Sequence, residues 1–403
     1  MQRLSELSVS AYSTVSAVGR GRAALLDAIR ARRTGLRPND FGGTALPTWI
    51  GRVEGIEDEP LPASLAQWEC RNNRLAWLGL RADDFAARVA EARGRYGASR
   101  IAVIVGTSTS SIGATEEGYA RLEPDGQYPA DLRRPIVHTP HSLGDFVAHA
   151  LDLSGVCMTI ATACSSSAKV FAQAQRLISL GLADAAVVGG VDTLCGSVLF
   201  GFNSLALVST EPCRPFDVSR RGISLGEAAG FALLERPDAA PDATIRLLGT
   251  GESSDAWHMS SPHPEGLGAR RAIDAALSAA DLAPEEIDYI NLHGTASDKN
   301  DSVEAQVVAE IFPPATRASS TKGWTGHTLG AAGMLEAVIT MLAIEEGLAP
   351  GTLNTDTLDA ACGPQLRLAN ESAPIKHAAT HSFGFGGSNC VLIFGGSPHA
   401  RGV

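Results

Sequence analysis

Apolar positions along the chain fall into two alternating patterns, short runs rich in β-branched residues and longer Ala/Leu-rich stretches with apolar residues at helical spacing. That alternation predicts an α/β protein. Leu4 to Val18 reads as a strand and Arg20 to Arg33 as the helix after it. Residues 34–100, rich in Gly, Pro and Arg, keep neither period and read as irregular polar surface. The core pattern resumes with the buried strand Ile101 to Gly106, a polar excursion to about Pro140, a helix, and the strand Val156 to Ala163. A helix then begins at Cys164 and breaks at Gly181, and a strand returns over Ala185 to Val188.

The second half runs through the same order. A strand near Thr244 to Leu248 leads to the helix GLGARRAIDAALSAA, a strand ending at His293, a helix from Asp301 and a long helix beginning near His327. The last strands lie near Ala379 to Ser382 and Cys390 to Phe394. Two local echoes, VIVGTSTS beside INLHGTAS and AVVGGVD beside LIFGGSP, occur in the same order at the ends of apolar strands. They predict an internal duplication. The polar stretch ERPDAAPDAT marks the join, giving halves of residues 1–240 and 241–403.

At 403 residues with 44% hydrophobic and 19% charged positions, the chain has globular composition and enough length for a large core. A net charge of -11 argues against general binding to nucleic acid or anionic membrane, since both would be repelled. The N-terminus carries Glu6 and several hydroxyl residues where a signal peptide needs apolar ones, and no run is long enough to span a bilayer. Seven cysteines without metal-type spacing read as reduced thiols, and the expected location is the cytoplasm.

Cys164 stands where a buried strand gives way to a helix, so the helix dipole and free N–H groups there are expected to lower its thiol pKa. The three serines after it are small enough to admit a substrate and to cap the helix. Cys157, Cys195 and Cys390 lie in or beside apolar runs and read as inert core. His293 closes a strand at the sheet edge where α/β proteins build sites, and His327 lies in the glycine-flanked TKGWTGHTLGAAG. Lys322, one of only four lysines against 29 arginines, sits in the same segment and is not dismissed as generic surface charge. Glu336 lies on the following helix, in place to pair with it. The glycine-rich HSFGFGGSNC is a mobile loop with no nucleotide-binding signature.

Together TACSSS, RPFD with RRG, GEAAG, HGTASDKND, KGWTGHTLGAAG and SFGFGGSN, in this order over residues 100–395, resemble the β-ketoacyl-acyl carrier protein synthases of the type I/II kind. The resemblance implies a thiolase-like five-layer αβαβα fold built from two related halves. It implies that Cys164 is the acyl-accepting nucleophile, and that His293 and His327 stabilise the enolate formed when a malonyl unit loses carbon dioxide. The backbone N–H groups of Cys164 and Phe385 would form the oxyanion hole. Phe385, between Gly384 and Gly386, would also gate the acyl group, and Lys322 and Glu336 would form a supporting ionic network.

No metal or redox cofactor is implied. The implied partner is an acidic acyl carrier protein bearing phosphopantetheine, for which Arg71, Arg74, Arg133, Arg134, Arg220 and Arg221 are the candidate patch. A dimer through the strand before Cys164 is expected, either a homodimer or a heterodimer with a chain-length-factor-like subunit. The histidine of GHTLGAAG argues against the coenzyme A-dependent branches of the superfamily, and a Cys hydrolase is the other alternative. Ala296 and Ser297 in HGTASDKND, and the unfamiliar residues 34–75, depart from the common pattern and point to a specialised polyketide or aryl polyene synthase.

Overall fold

A computed structural model describes residues 4–42 and 46–396. Its main sheet is built by β1 (Leu7–Ser16), β2 (Ile101–Gly106), β3 (Cys157–Ile160), β4 (Ala185–Asp192) and β5 (Ala228–Glu235), then β6 (Ile245–Ser254), β7 (Tyr289–Asn291), β8 (Arg317–Ser319), β9 (His377–Gly384) and β10 (Ser388–Gly396). The spatial order is β8-β7-β9-β10-β6-β1-β5-β4-β2-β3. From the centre outward the first half therefore runs β1-β5-β4-β2-β3 and the second β6-β10-β9-β7-β8. Each strand of the first half has its counterpart five strands later, and the parallel and antiparallel pairings match as well. The half-sheets meet only where β1 pairs with β6, at Leu7, Ser8 and Val9.

The helices are α1 (Arg22–Arg30), α2 (Arg71–Arg81), α3 (Phe85–Tyr96), α4 (Ile112–Ala120), α5 (Ser142–Ala150), α6 (Ser166–Ser179), α7 (Gly196–Ser204), α8 (Leu267–Ala280), α9 (Asp298–Ile311) and α10 (Ala332–Glu346). Helices α6 and α10 fill the space between the half-sheets, where Phe171 and Val338 share one core with Ile104, Val188, Leu392 and Phe394. Because α10 has sheet on both sides, it is buried all round from Ala332 to Ala343, which explains its unbroken apolar sequence. Outside, α2, α3 and α5 cover the first half through Leu75, Val89 and Phe146, while α8 and α9 cover the second through Ile273 and Val308. The layers are thus αβαβα. No helix among the described residues is long and apolar enough to cross a membrane.

Several expectations need correction. Residues 34–100 are not irregular surface, because they contain α2, α3 and the short strands Arg37–Pro38 and Trp49–Gly51. Helix α2 buries Asn72 and Asn73 beside Leu75 and Leu78, so polar residues interrupt its apolar stripe. In α3 the stripe is only Phe85, Val89 and Ala92 among arginines. The polar excursion after β2 likewise contains α4. Of the two echoes, VIVGTSTS and INLHGTAS end the equivalent strands β2 and β7. The second pairs β4 with β10, whose counterparts are β9 and β5, so it is no trace of the duplication. Its last residues, Ser397 and Pro398, lie outside the described residues.

The N-terminus of α6 approaches the sheet too closely for side chains beneath it. A Cβ on Gly106 would lie 2.4 Å from the Ser167 nitrogen, and one on Gly190 would lie 2.4 Å from the Ser167 Cβ. Gly94, in α3, has open space around its Cβ position. Gly106→Ala is therefore expected to lower unfolding free energy by about 1–3 kcal/mol. Gly94→Ala should raise it by roughly 0.5–1 kcal/mol. Urea midpoints of the two variants check this, and equal shifts would contradict it.

Candidate active site

The chain leaves β3 through a tight turn in which Ala163 adopts φ 52°, a left-handed conformation that reverses the backbone just before Cys164. The serines after Cys164 hold this turn. Ser166 Oγ accepts from the Thr162 N–H at 2.9 Å and donates to the Ala163 carbonyl at 2.5 Å, while Ser165 Oγ donates to the Thr162 carbonyl at 2.9 Å. Ser167 Oγ accepts from the Met334 N–H at 2.9 Å, docking α6 on α10. All three are fully buried and none caps the helix through its side chain, so they fix the turn rather than admit a substrate. The helix begins at Ser166, two residues after Cys164.

Counterpart loops bring the other groups to the sulfur. His327 lies between β8 and α10, its N–H donating to the Ser224 carbonyl at 2.7 Å and its Nε2 2.9 Å from Cys164 Sγ. His293 follows β7, and its ring centroid is 5.4 Å from that of His327, nearly perpendicular to it. The sulfur and one nitrogen of each histidine lie within 4.8 Å of one another. Behind them the buried Lys322 ammonium donates to the His293 carbonyl and to the Glu336 carboxylate.

Burial dominates the electrostatics. It pushes both imidazoles well below the ordinary histidine range, and the Lys322 charge pushes them further, so both rings are neutral at neutral pH. Burial also raises the Glu336 carboxyl to about 7 against the pull of Lys322. The Cys164 thiol rises to about 11, because burial outweighs the Lys322 charge and the Phe385 backbone N–H that favour the thiolate. The expected lowering by the helix terminus is thus overturned, and the resting sulfur is a thiol.

Three buried carboxylates that sequence reasoning gave no role hold the loops. Glu304 on α9 accepts from the His293 and Gly294 N–H groups at 2.8 Å each, and its Oε1 lies 3.1 Å from His381 Nδ1. One turn earlier, Asp301 accepts from the Thr295 and Ala296 N–H groups at 2.9 and 3.0 Å, and burial raises it to about 6. Asp192 gathers the loop after β2 and the loop before α10, accepting from Thr107 Oγ1 at 2.6 Å and the Gly330 N–H at 2.6 Å. The available signal was the spacing of Asp301 and Glu304 on one helix face, which also fits solvated charge near a helix start.

The site floors a cavity of about 390 Å³ whose walls include Phe202, Leu205, Ile223, Thr295 and Lys299. Phe385 also lines it, its ring centroid 5.7 Å from that of Phe202. The loop carrying Phe385 is tied to residues 255–259, since the Gly386 N–H donates to the Met259 carbonyl at 2.7 Å and the Asp255 N–H to the Gly387 carbonyl at 2.9 Å. Cys390 is buried within β10, pairs with Ser382 and does not line the cavity.

The arginines predicted as a docking patch are mostly engaged elsewhere. Arg71 pairs with the buried Glu227 at 2.6 Å and with Glu57, and Arg74 pairs with Glu69 at 2.5 Å. Arg220, with 3% of its side chain exposed, bridges Asp298 and Asp359 and is removed from the patch. Arg133 and Arg134 donate to the Tyr128 and Glu69 carbonyls and line a separate shallow cavity with Tyr119 and His138. Of the six, Arg133 and Arg221 are exposed with no ion pair among the described residues.

Comparison with known proteins agrees over nearly the whole chain. Residues 76–240 match the family described as "Beta-ketoacyl synthase, N-terminal domain", and residues 244–356 match "Beta-ketoacyl synthase, C-terminal domain". The chain is 31% identical to 3-oxoacyl-[acyl-carrier-protein] synthase 2 of Coxiella burnetii, over 96% of this chain and 97% of that protein. Among solved structures it is similar to the ketosynthase ApeO in complex with its chain length factor ApeC from Xenorhabdus doucetiae, with 36% identity, TM-score 0.88, and 98% and 99% of the two chains covered. The ishigamide ketosynthase/chain length factor also has TM-score 0.88, at 27% identity over 97% and 98% of the chains. With both domains matched in order, the chain belongs to the β-ketoacyl synthase family.

Proposed function

We propose that the protein condenses a Cys164-bound acyl group with malonyl-acyl carrier protein, releasing carbon dioxide and giving a β-ketoacyl-acyl carrier protein. The observation that carries this is the convergence of one thiol and two neutral imidazoles in one cavity. As the sulfur attacks the incoming thioester, its proton passes to His327 Nε2 and then to the departing pantetheine thiolate, leaving a thioester on Cys164. The N–H groups of Cys164 and Phe385 hold the oxyanion. When the malonyl unit loses carbon dioxide, its electron pair becomes an enolate whose oxygen accepts hydrogen bonds from His293 and His327. The enolate carbon then attacks the acyl carbonyl, the bond to sulfur breaks, and the freed Cys164 thiolate takes a proton from water. Neutral rings suit this role because they donate a hydrogen bond without having to lose a charge.

Lys322 and Glu336 act as positioning residues, since Lys322 fixes the His293 backbone and supplies the nearby positive charge. Gly384 and Gly386 flank the Phe385 gate, and Gly386 has φ 76° with free space around its Cβ position. A late cysteine acting as acid/base, as a thiolase would need, has no support in the position of Cys390. A second reading is favoured by the likeness to ApeO, that the chain is the catalytic member of a ketosynthase/chain length factor pair in a specialised pathway. The edge strand β3 supports a partner of this kind, since Val156 beside it is 40% exposed and only its inner side is paired. A homodimer would use the same edge.

Intact-mass measurement after incubation with a panel of acyl-loaded carrier proteins should show acylation of the wild type and none of Cys164→Ala. Replacing both His293 and His327 by Ala should leave that acylation detectable while abolishing carbon dioxide release from malonyl carrier protein. Release of free acid from the acylated wild type, in place of condensation, would favour a hydrolase. Co-expression with a chain-length-factor-like subunit followed by native mass measurement separates homodimer from heterodimer.

Because the thiol sits near 11, its thiolate fraction grows through the neutral range. Iodoacetamide alkylation of Cys164 should quicken about tenfold per pH unit from pH 7 to 9 without levelling. A plateau below pH 8 would contradict the assignment of a protonated resting sulfur.

A further inference from the structure

A reacting imidazole is ordinarily oriented by a hydrogen bond on its second nitrogen, and neither ring in this site has one. Nδ1 of His293 and Nδ1 of His327 are both buried without a partner. The place of the His293 ring is therefore inherited from its main chain, which is held on both sides. Lys322 donates to the His293 carbonyl, and the His293 N–H donates to Glu304 Oε1 at 2.8 Å. Glu304 Oε2 accepts from the Gly294 N–H, also at 2.8 Å.

His381, on β9, stands behind this carboxylate. It is fully buried, with Nδ1 3.1 Å from Glu304 Oε1 and with Nε2 lacking any partner. A proton on Nε2 would be a buried donor with no acceptor, whereas Nδ1 faces an oxygen that already accepts from an amide, so Nδ1 carries the hydrogen and donates. The His381 ring packs on Phe383 with 5.1 Å between centroids, and Phe383 lines the cavity 6.3 Å from His293. Helix α9, strand β9 and the loop after β7 are thus joined at one carboxylate.

We infer that His381 is a positioning residue: by donating to Glu304 it fixes the carboxylate from which the His293 backbone hangs, and so sets where the His293 ring meets the enolate oxygen. A carboxylate gripped by two neighbouring amides can still tilt about them, and a third donor from another element removes that freedom. Small displacements matter, since an error of about 1 Å in a positioned group can cost about a hundredfold in rate. The effect falls on decarboxylation, because Cys164 acylation uses His327 and the Cys164 and Phe385 amides, none of which hangs from Glu304. This inference rests on the condensation reading above.

Two substitutions separate a donor from a filler. His381→Leu fills the space and donates nothing, while His381→Asn is smaller but places an amide N–H near the Nδ1 position. Intact-mass kinetics read Cys164 acylation, and carbon dioxide release from malonyl carrier protein reads decarboxylation. His381→Leu should lower kcat for carbon dioxide release about tenfold to a hundredfold, with KM and the acylation rate within about threefold of wild type. His381→Asn should recover most of that loss. The assignment is overturned if His381→Leu releases carbon dioxide like the wild type, if His381→Asn is as impaired as His381→Leu, or if acylation falls as far as decarboxylation. If the wild type releases no carbon dioxide, the condensation reading fails instead. In that case, or if His381→Leu does not fold, imidazole nitrogen NMR decides. An Nδ1–H tautomer at His381, with the His293 signals unmoved in His381→Asn, supports the positioning role, and an Nε2–H tautomer at His381 overturns it.

Discussion

The site depends on one buried cation. Lys322 has no water to solvate it, and an ammonium so placed persists only because the Glu336 carboxylate and the His293 carbonyl replace that water. Its charge then acts in three directions. It opposes the effect of burial on the Cys164 thiol, pushes both imidazoles toward their neutral form, and pins the backbone from which His293 projects. Each effect is useful only because water is excluded, so the sealed core between the half-sheets and the chemistry at its edge arise from the same packing.

Duplication explains why Cys164 and His327 meet. Cys164 follows β3 and precedes α6, and His327 follows β8 and precedes α10, which are counterparts in the two halves. The approximate twofold relation between halves therefore brings the start of one central helix toward the start of the other. His293 follows β7, the counterpart of β2, whose own following loop carries Thr107 and Ser108 on Asp192 instead of a histidine. The halves have kept one geometry and specialised different loops.

Much of this was legible in the sequence because buried strands and the central helices leave long apolar signatures. Ile101 to Gly106, Ala185 to Val188 and the helix after His327 were readable for that reason. The motifs around Cys164, His293 and His327 gave the resemblance. What was not legible depended on distant partners. Arg71 and Arg220 look like free surface charge until Glu227 and Asp359, more than a hundred residues away, are brought beside them. Asn72 and Asn73 hide α2 because they are polar yet buried, Asn73 donating to the Trp68 carbonyl and Asn72 accepting from Thr193 inside the fold. The helix-terminus argument for Cys164 failed because it had no measure of burial, which outweighed it.

Phe385 joins two properties that are usually separate. Its ring covers the cavity against Phe202, and its amide faces the Cys164 sulfur. Both belong to one residue between Gly384 and Gly386. Shielding and thiolate stabilisation therefore meet in one residue: a backbone shift at Phe385 would change both, whereas a turn of the ring about its own side-chain bonds would change the first alone.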